Sequence, residues 1–583
     1  MAVRRRPQRG HRYTESPVLE LALQGWRSRM VGLLLMALLL LLVARAFYLQ
    51  VINNDFLQEK GDSRYRRDIE VSASRGKIMD RHGDLLAVST PMKSIWAIPG
   101  DARTMTMEQK RHLAGLLDLS ARELDGKIAS DKTFVYLRRQ VPPQTGERIA
   151  ALKLPGIHQE QEYRRFYPAG DMTAHVVGFT GVDDEGLEGV ELAFQQSLVG
   201  RPGNRTVIRD RRGGIVEDVG ATRPPRDGKE LRLALDSKIQ YLAYSQLQAV
   251  IDYHKARAGG AVVLDARTGE ILALANWPAY NPNNRGNLSG AQLRNRAITD
   301  TFEPGSVMKP FIAALALEQG KVTVNTAIDT SPGRLTLNGA TISDAHPHGV
   351  LTVAQIIQKS SNVGTAKIAL GFPPREMWEL FDRLGFGQAP NLGFPGEVNG
   401  RLRPWNSWRP IEQATMSYGH GIAVSLIQLA RAYTVFASDG ELLPLSLLRV
   451  DDETPVHGAR VFSPQTVREM RLVLETAVQP GGTAPAARVA GYRVGGKTGT
   501  AYKIEGGVYA RKYVASFVGI APISDPRLVI AVMIDEPSSN GYYGGDVAGP
   551  AFSRIAAGAL RALGIPPDAP QQVAAVADGK ERL

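Results

Sequence analysis

Apolar residues divide the chain into three parts that differ in pattern. Met30 to Ala44 is an unbroken apolar run, and residues 53–225 carry only short apolar segments between Gly and Pro residues. Beyond them, helical spacing predicts an amphipathic helix over Ile239–Tyr253, with strands before and after it. The pattern therefore predicts an apolar amino-terminal segment, a polar middle region and a long carboxyl-terminal region that can bury a large core.

In the carboxyl-terminal region, strand-like runs lie at both ends of a mainly helical stretch. The helical pattern runs from about Arg294 to Gly440, and a last helix is expected from Pro550 to Leu563. The strand-like runs are Gly260–Asp265, Glu270–Ala275, Tyr492–Gly496, Tyr513–Ile520 and Arg527–Ile534. Strands that enclose a helical insert predict an α+β fold with a cleft between its halves.

The amino-terminal apolar run is long enough to cross a membrane when its flank is included. Met30–Ile52 would form about 35 Å of helix, and Arg45 could extend its side chain to the interface. Residues 1–29 hold seven arginines against two glutamates, which favours a cytoplasmic amino terminus and an exported body. A cleaved signal peptide is the alternative, because Ala44-Arg45-Ala46 resembles a signal-peptidase site.

These patterns predict five consecutive regions. A Pro- and Gly-containing linker, Arg223–Gly228, separates the middle region from the active domain. The predicted regions are a cytoplasmic basic tail (1–29), a transmembrane anchor (30–52), a non-catalytic spacer (53–225), the active domain (226–563) and a flexible tail (564–583).

Composition narrows the classes of function. The net charge of +12 could indicate a nucleic-acid partner, but no basic run with interleaved aromatic residues occurs, so none is expected. The chain has no cysteine, which excludes disulfides, thiolate metal sites and cysteine nucleophiles. His346 and His348 are the only close histidine pair and are interpreted as part of a loop, so neither a metal nor a cofactor is predicted.

The first candidate motif is Ser306-Val307-Met308-Lys309, at the start of a predicted helix. Residues three apart share a helix face, so Ser306 and Lys309 are expected to point the same way. Serine needs a base to become a nucleophile, and a partly desolvated lysine at a helix start can serve as that base. Chance alone gives roughly a couple of S-x-x-K matches in a chain this long, so the motif needs support from elsewhere.

Two further motifs supply that support. Ser360-x-Asn362 follows 54 residues later, at the end of a helix that Thr352 can cap, and Lys497-Thr498-Gly499-Thr500 follows after another 137 residues, at a strand-like run. Each is weak alone, but this order, on helix, helix and strand, is specific.

The residue types in these motifs suit acyl transfer. Ser360 could relay a proton to the leaving amine, and the amide of Asn362 could hold a substrate's peptide backbone. Lys497 with the hydroxyls of Thr498 and Thr500 suits a substrate carboxylate. Backbone N–H groups of the strand edge and of Ser306 could form an oxyanion hole.

With these motifs the chain resembles a class B penicillin-binding protein, most closely the division-specific FtsI type. The resemblance spans nearly the whole length, including Arg75-Gly76, Arg165–Gly170 with His175, Gly186–Glu191, Tyr418–Gly421, Gly481–Ala484 and Tyr542–Gly545. It implies an elongated mixed α/β pedestal of the dimerisation type over 53–225. It also implies a transpeptidase domain with an antiparallel sheet flanked by helices and an all-helical subdomain.

The resemblance also implies a reaction and partners. Ser306 would attack the D-Ala-D-Ala bond of a peptidoglycan stem peptide, release D-Ala and pass the acyl group to a neighbouring amine, and β-lactams would acylate it. Lys497, Thr498, Gly499 and Thr500 would bind substrate together with Asn362. A SEDS-type (FtsW-like) glycosyltransferase and other division proteins would be partners, with the catalytic domain on the periplasmic side of the inner membrane.

Two features of the sequence bear on the fate of the acyl group and the shape of the cleft. The second motif has Ser361 at its middle position, and no E-x-x-x-N lies between the second and third motifs, so a long-lived acyl-enzyme is favoured over fast hydrolysis. Tyr513, Tyr542 and Tyr543 could line the cleft as an apolar wall, but core or surface packing would explain them equally well.

Two other classes of protein remain open alternatives. Gly491 to Thr498 matches G-x-x-x-x-G-K-[ST], and Asp535 follows an apolar run, so a P-loop nucleotidase is possible. That reading requires a helix that starts at Lys497 and Thr498, whereas the residues that follow show no helical stripe. The second alternative is a non-catalytic cell-wall scaffold, which the intact set of three motifs disfavours.

Overall fold

The computed structural model of the chain describes residues 25–56, 60, 66–209, 215–286, 288–451 and 455–569. The chain forms two compact units: one contains the residues up to Val71 together with Pro202–Pro225, and the other contains Ser72–Arg201 and the chain from Arg226 onward. Most of the predicted basic tail, and most of the predicted carboxyl-terminal tail, lie outside the described residues.

The first unit contains a membrane-length helix and a small sheet. Gly25–Phe47 is α-helical and continues as a π-helical turn over Tyr48–Ile52, giving 28 residues. Its most apolar stretch of 18 residues has a mean hydropathy of 2.5 and no buried residue. This confirms the predicted helix. The sheet is antiparallel, with the middle strand Gly203–Arg209 between Arg66–Val71 and Ile215–Arg223.

The amino-terminal part of the second unit is mixed α/β. Its longest strand, Leu85–Ala97, pairs with Val135–Val141 and with Ile157–Phe166, and the short strands Ile78–Met79 and Leu231–Arg232 extend the sheet. Two of its helices begin after Thr106 and Ser120, each of which forms a capping box with a side chain three residues on. The helices are Pro99–Ala102, Met107–Leu116, Ala121–Ile128, Pro143–Ala151, Ala174–Val177, Gly189–Ala193 and Gln195–Leu198.

A buried ion triad joins three distant segments of this part. The Glu191 carboxylate accepts hydrogen bonds from Arg75 Nε at 2.5 Å and Arg165 Nε at 2.7 Å, and all three side chains are almost fully buried. Further guanidinium donors are taken up by backbone carbonyls, among them that of Gly76. The segments that carried the resemblance therefore share one satisfied polar core.

The carboxyl-terminal part is built on a five-stranded antiparallel sheet. Its strands, numbered here in chain order, are β1 (Ala258–Asp265), β2 (Ile271–Trp277), β3 (Gly495–Glu505), β4 (Val508–Ala521) and β5 (Leu528–Asp535). The spatial order is β2-β1-β5-β4-β3, so β3 has a neighbour on one side only. The predicted run Tyr492–Gly496 enters the sheet only at Gly495, because Tyr492 closes a turn onto the carbonyl of Val489.

Both faces of this sheet are covered by helices, which explains why its central strands are apolar without alternation. On one face, Val263 packs in a cluster with residues of Ser237–His254 and Gly549–Ala562, which confirms the predicted first and last helices. On the other face, Val262 and Val518 pack in a cluster with Phe311 and other residues of the helical insert. The sheet with its flanking helices and helical insert is the predicted α+β architecture.

The helical insert and its connections carry the remaining elements. The α-helices are Gly290–Leu293, Arg296–Thr299, Lys309–Glu318, Val353–Lys359, Asn362–Leu370, Pro374–Arg383, Pro410–Met416, Leu426–Ala437, Pro464–Thr476 and Gly544–Val547. Short paired strands are Thr301–Phe302, Ala327–Asp329, Arg334–Leu337, Ala340–Ser343, Val350–Thr352, Val424–Ser425, Glu441–Leu442 and Ala459–Arg460. The 3₁₀ turns are Gly170–Met172, Gly305–Met308, Trp405–Ser407 and Pro485–Ala487.

Candidate active site

The first motif lies at a change of helix type. Gly305–Met308 is a 3₁₀ turn, and the α-helix begins at Lys309, with Pro310 in its first turn. Side chains three apart eclipse each other in a 3₁₀ turn, so Ser306 and Lys309 share a face, as predicted. Ser306 is partly exposed, whereas Lys309 is fully buried.

The amine of Lys309 lies against the second motif. Its Nζ donates to the backbone carbonyl of Ser360 at 2.5 Å and to the Ser360 hydroxyl at 3.1 Å. Burial lowers the pKa of Lys309 well below its ordinary value, and the positive charge of Lys497 lowers it further, while the carboxylate of Asp344 opposes both. The environment therefore favours a neutral amine that can accept a proton.

Ser360 is held at the junction of two helices. Thr352 caps the helix Val353–Lys359 with a capping box, as predicted, and Ser360 ends it in the left-handed conformation with φ of 63°. Ser361 then caps the next helix, accepting a hydrogen bond from Gly364 N–H at 2.9 Å. A non-glycine residue in this conformation needs support from its surroundings, which the two caps and Lys309 provide.

Asp344 fixes the start of that second helix. Its carboxylate accepts hydrogen bonds from the Ser361 hydroxyl at 2.7 Å, from Asn362 N–H at 2.5 Å and from Val363 N–H at 2.9 Å. An anion is favoured at this end of a helix. Sequence reasoning missed Asp344, because it lies outside all three motifs and no local pattern marks a carboxylate that caps a helix from another part of the chain.

The third motif lies on the edge strand β3. Lys497 is fully buried, and burial lowers its pKa to about 7. Its Nζ donates to the Thr498 hydroxyl at 3.1 Å, and that hydroxyl donates to the Thr483 hydroxyl at 3.0 Å. The hydroxyl of Thr500 accepts a hydrogen bond from Gly544 N–H at 3.0 Å. Thr483 belongs to the segment Gly481–Ala484 that carries part of the resemblance, but no role was predicted for it.

Two glycines allow close approach to the turn that carries Ser306, one from the third motif and one from the segment Tyr418–Gly421. A Cβ on Gly499 would lie 2.3 Å from the Ser516 hydroxyl oxygen and 2.7 Å from the carbonyl oxygen of Pro304. A Cβ on Gly419 would lie 2.3 Å from the carbonyl oxygen of Gly305, and Gly419 also has a positive φ of 83°. The predicted substrate strand β3 is therefore in direct backbone contact with the segment around Ser306. We refer to the turn Gly305–Met308 as the nucleophile turn, after the role predicted for Ser306.

The three tyrosines predicted as a possible cleft wall lie together. Tyr513 stacks on Tyr542 with ring centres 4.2 Å apart, and Tyr542 contacts Tyr543 at 4.5 Å. Tyr502, on β3, contacts Tyr513 at 5.0 Å. Tyr502, Tyr542 and Tyr543 are exposed, so core packing does not explain them. Whether they line a substrate cleft stays a prediction.

Glu303 and Tyr509, for which the sequence predicted no role, are hydrogen-bonded to each other just before the nucleophile turn. The Glu303 carboxylate accepts hydrogen bonds from Gly421 N–H at 2.7 Å and from the Tyr509 hydroxyl at 3.1 Å. Burial raises the pKa of Glu303, which these hydrogen bonds partly counter. The ring of His420 lies 5.2 Å from that of Tyr418, and burial and then the charge of Lys309 lower its pKa to about 4, so it is neutral.

The geometry of Gly491–Thr498 is wrong for a P-loop. Lys497 and Thr498 lie inside strand β3, paired with Val518 and Phe517, and no helix begins there. Backbone N–H groups therefore do not converge on a phosphate site at a helix start.

Two family models match the chain. The model described as the penicillin binding protein transpeptidase domain matches residues 259–557, and that of the penicillin-binding protein dimerisation domain matches residues 70–233. The first covers the five-stranded sheet and the helical insert, and the second covers the mixed α/β part.

Characterised relatives match over most of the chain. The sequence is 46% identical over 554 residues to the probable peptidoglycan D,D-transpeptidase PenA of Neisseria gonorrhoeae, covering 94% of this chain and 95% of the relative. It is 43% identical over 553 residues to the peptidoglycan D,D-transpeptidase FtsI of Escherichia coli K12, covering 94% and 93%. The apo transpeptidase domain of penicillin-binding protein 3 from Burkholderia pseudomallei is 53% identical, with a TM-score of 0.54, and covers 58% of this chain and 98% of that domain.

Proposed function

The chain belongs to the class B penicillin-binding proteins of the FtsI-like type, and from that premise we propose that it cross-links peptidoglycan stem peptides through an acyl-enzyme on Ser306. The observation that carries the proposal is the contact of Lys309 with Ser360, directly beside the turn that carries Ser306. A buried lysine with a lowered pKa, bound to Ser360 and on the same face of the turn as Ser306, has the chemistry of a proton shuttle.

In the proposed acylation, the neutral amine of Lys309 takes the proton of Ser306 as its oxygen attacks the penultimate D-Ala carbonyl. The tetrahedral oxyanion is stabilised by N–H groups of Ser306 and strand β3. The peptide C–N bond then breaks, and Ser360, in contact with Lys309, passes a proton to the departing D-Ala. In the transfer step an acceptor amine attacks the ester, a new C–N bond forms as the C–O bond to Ser306 breaks, and the proton lost by the amine returns to Ser306.

Substrate recognition is assigned to the edge strand and the second motif. The stem peptide lies along β3, whose outer edge is unpaired, in the manner of an added strand. Lys497, Thr498 and Thr500 hold its terminal carboxylate, with Gly499 allowing close approach, and the Asn362 amide bonds its backbone. The tyrosines near Tyr513 form the wall of this cleft.

The proposed location follows from the single apolar helix near the amino terminus. The protein is anchored by that helix, and the arginines that precede it favour a catalytic domain on the periplasmic side of the inner membrane. Residues 53–225 form the proposed pedestal and 226–563 the proposed transpeptidase domain. A SEDS-type glycosyltransferase and other division proteins are the proposed partners, at the septum.

Intact-mass analysis after treatment with benzylpenicillin tests the assignment of the nucleophile. We expect the wild-type protein to gain the mass of one opened penicillin and Ser306→Ala to gain none. Ser524→Ala is the matched control, because it removes an exposed serine between strands β4 and β5 and leaves all three motifs in place. An unmodified wild type, or an equally modified Ser306→Ala, would contradict the proposal.

A further inference from the structure

A cavity of about 230 Å³ lies beside the segment that leads into the nucleophile turn. Phe302 and Glu303 line it on one side, and Tyr502 and Ile504 of strand β3 line it on the other. Glu303 precedes Ser306 by three residues, which span at most about 10 Å of chain. The cavity is therefore close to the site of acylation, but the mechanism above leaves it unused.

Three carboxylates line the cavity, and two of them are already paired. Asp300 binds Arg294 at 2.5 Å and Arg296 at 2.8 Å, and Asp535 binds Lys503 at 2.7 Å. Glu303 has only neutral donors, the Gly421 N–H and the Tyr509 hydroxyl. Within the described parts of the chain it has no cationic partner, although it is partly buried. The charge of such a carboxylate is not compensated, and burial disfavours a charge unless a cation compensates it.

A second polar group at the same cavity, the guanidinium of Arg296, has a donor without an acceptor among the described residues. The Nε of Arg296 is buried and has no hydrogen-bond acceptor among the described residues, while the other end of the guanidinium is held by Asp300. The Arg296 side chain lines the cavity, and the residue is 8% exposed. A ligand that brings both an ammonium and an oxygen acceptor would complete both groups.

We propose that this cavity captures the acceptor of the transfer reaction through a free amino-acid head group, whose ammonium binds Glu303 and whose carboxylate lies on the side of Arg296. The proposal rests on the proposed function and adds a site for its second substrate. The cavity has room for such a head group but not for a sugar-bearing strand. Glu303 holds the ammonium ahead of the transfer and takes its proton. The neutral amine then moves to the acyl group and attacks the ester, whose C–O bond to Ser306 breaks.

The test separates acylation from transfer in the full-length protein. The donor is a thioester that ends in D-Ala, the acceptor is D-alanine, and the readouts are the rate of acylation by benzylpenicillin and the kcat/KM for the acceptor. We expect Glu303→Gln, which keeps an acceptor for Gly421 N–H, to lower the acceptor kcat/KM about tenfold more than it lowers acylation, as for one lost charge-assisted hydrogen bond. Asp525→Asn, which removes an exposed carboxylate elsewhere in the same unit, should change neither.

Changing the acceptor makes the result independent of any effect of the variant on folding. Hydroxylamine, uncharged at slightly alkaline pH, should be used equally well by wild type and Glu303→Gln once acylation is corrected for. D-alaninamide, which lacks the carboxylate, should be a poorer acceptor than D-alanine for the wild type. Equal losses with charged and uncharged acceptors, or equal use of D-alanine and its amide, would overturn the proposal while leaving the acyl-enzyme intact. A wild type that neither acylates nor transfers would overturn the proposed function itself.

Discussion

Lys309 and Lys497 are two buried lysines at one site, where two positive charges would repel each other. Burial lowers the pKa of both, and the charge of Lys497 lowers that of Lys309 further. The interaction separates their tasks, because the more strongly affected lysine becomes the neutral base and the other remains available as a cation. Asp344 limits the effect on Lys309 through its own negative charge.

This division predicts a pH dependence of acylation. Below its pKa of about 7, Lys497 is protonated and attracts the carboxylate of benzylpenicillin; above it the cation is lost. The second-order rate constant of acylation should therefore fall as pH rises through about 7, since kcat/KM reports the free enzyme. In Lys497→Arg the guanidinium stays charged, so the fall should disappear from the neutral range even if the overall rate is lower. A fall that persists there would show that another group titrates.

Among individual residues, the sequence motifs identified those that stand in a fixed order on the chain. They did not identify the residues that contact the motifs only after folding. Ser306, Lys309 and Lys497 stand in short patterns whose order on the chain is informative. Asp344 and Glu303 act through contacts made when distant segments fold together. Neither forms a local sequence pattern that predicts its hydrogen-bond partners. The environments that move their pKa values are likewise products of folding.

Among the secondary-structure elements, strand β3 is positioned by the close approach of its backbone at Gly499 to the segment before Ser306. Gly499 lies where the strand meets the nucleophile turn, and any Cβ there would meet backbone. The predicted run, Tyr492–Gly496, began too early and ended before most of the strand, which continues to Glu505. The start of the helix that leads to Ser360 was predicted correctly, because the capping signal of Thr352 lies in adjacent residues.

Two glycine-to-alanine changes should therefore have opposite effects. Gly499→Ala should destabilise the protein by about 1–3 kcal/mol through overpacking and should slow acylation, because the turn and the strand are pushed apart. Gly126→Ala, in the interior of the exposed face of helix Ala121–Ile128, meets nothing within 4 Å and should add up to about 1 kcal/mol of stability. Thermal unfolding and acylation rate measure both. A Gly499→Ala protein with wild-type stability and acylation would refute the close-contact argument.

On the scale of the whole molecule, the anchor and the chemistry belong to different compact units. Every candidate catalytic residue lies in the unit formed by Ser72–Arg201 and the chain from Arg226 onward, whereas the apolar helix lies in the other. The helix has no buried residues, and it is long and apolar enough to cross a membrane.

Removing the helix should change where the protein is found and leave its chemistry intact. The full-length chain should stay with membranes through an alkaline wash and be released by detergent, whereas a variant lacking residues 1–52 should be soluble and still be acylated by benzylpenicillin. The mass of the protein from cells also decides between anchor and signal peptide. A mature chain that begins after Ala46 would show that the segment is cleaved.

The open edge of strand β3 has a consequence beyond catalysis. An edge that must stay free for substrate is also free for any other extended chain, and the exposed Ile504 and Val508 near its end make self-association favourable. Lys503 directly precedes Ile504 on the strand, but its charge is paired with Asp535 and Glu536 and offers little repulsion. A site that recognises backbone therefore carries an inherent tendency to aggregate, and occupation by a covalent ligand should make the protein more soluble as well as inactive.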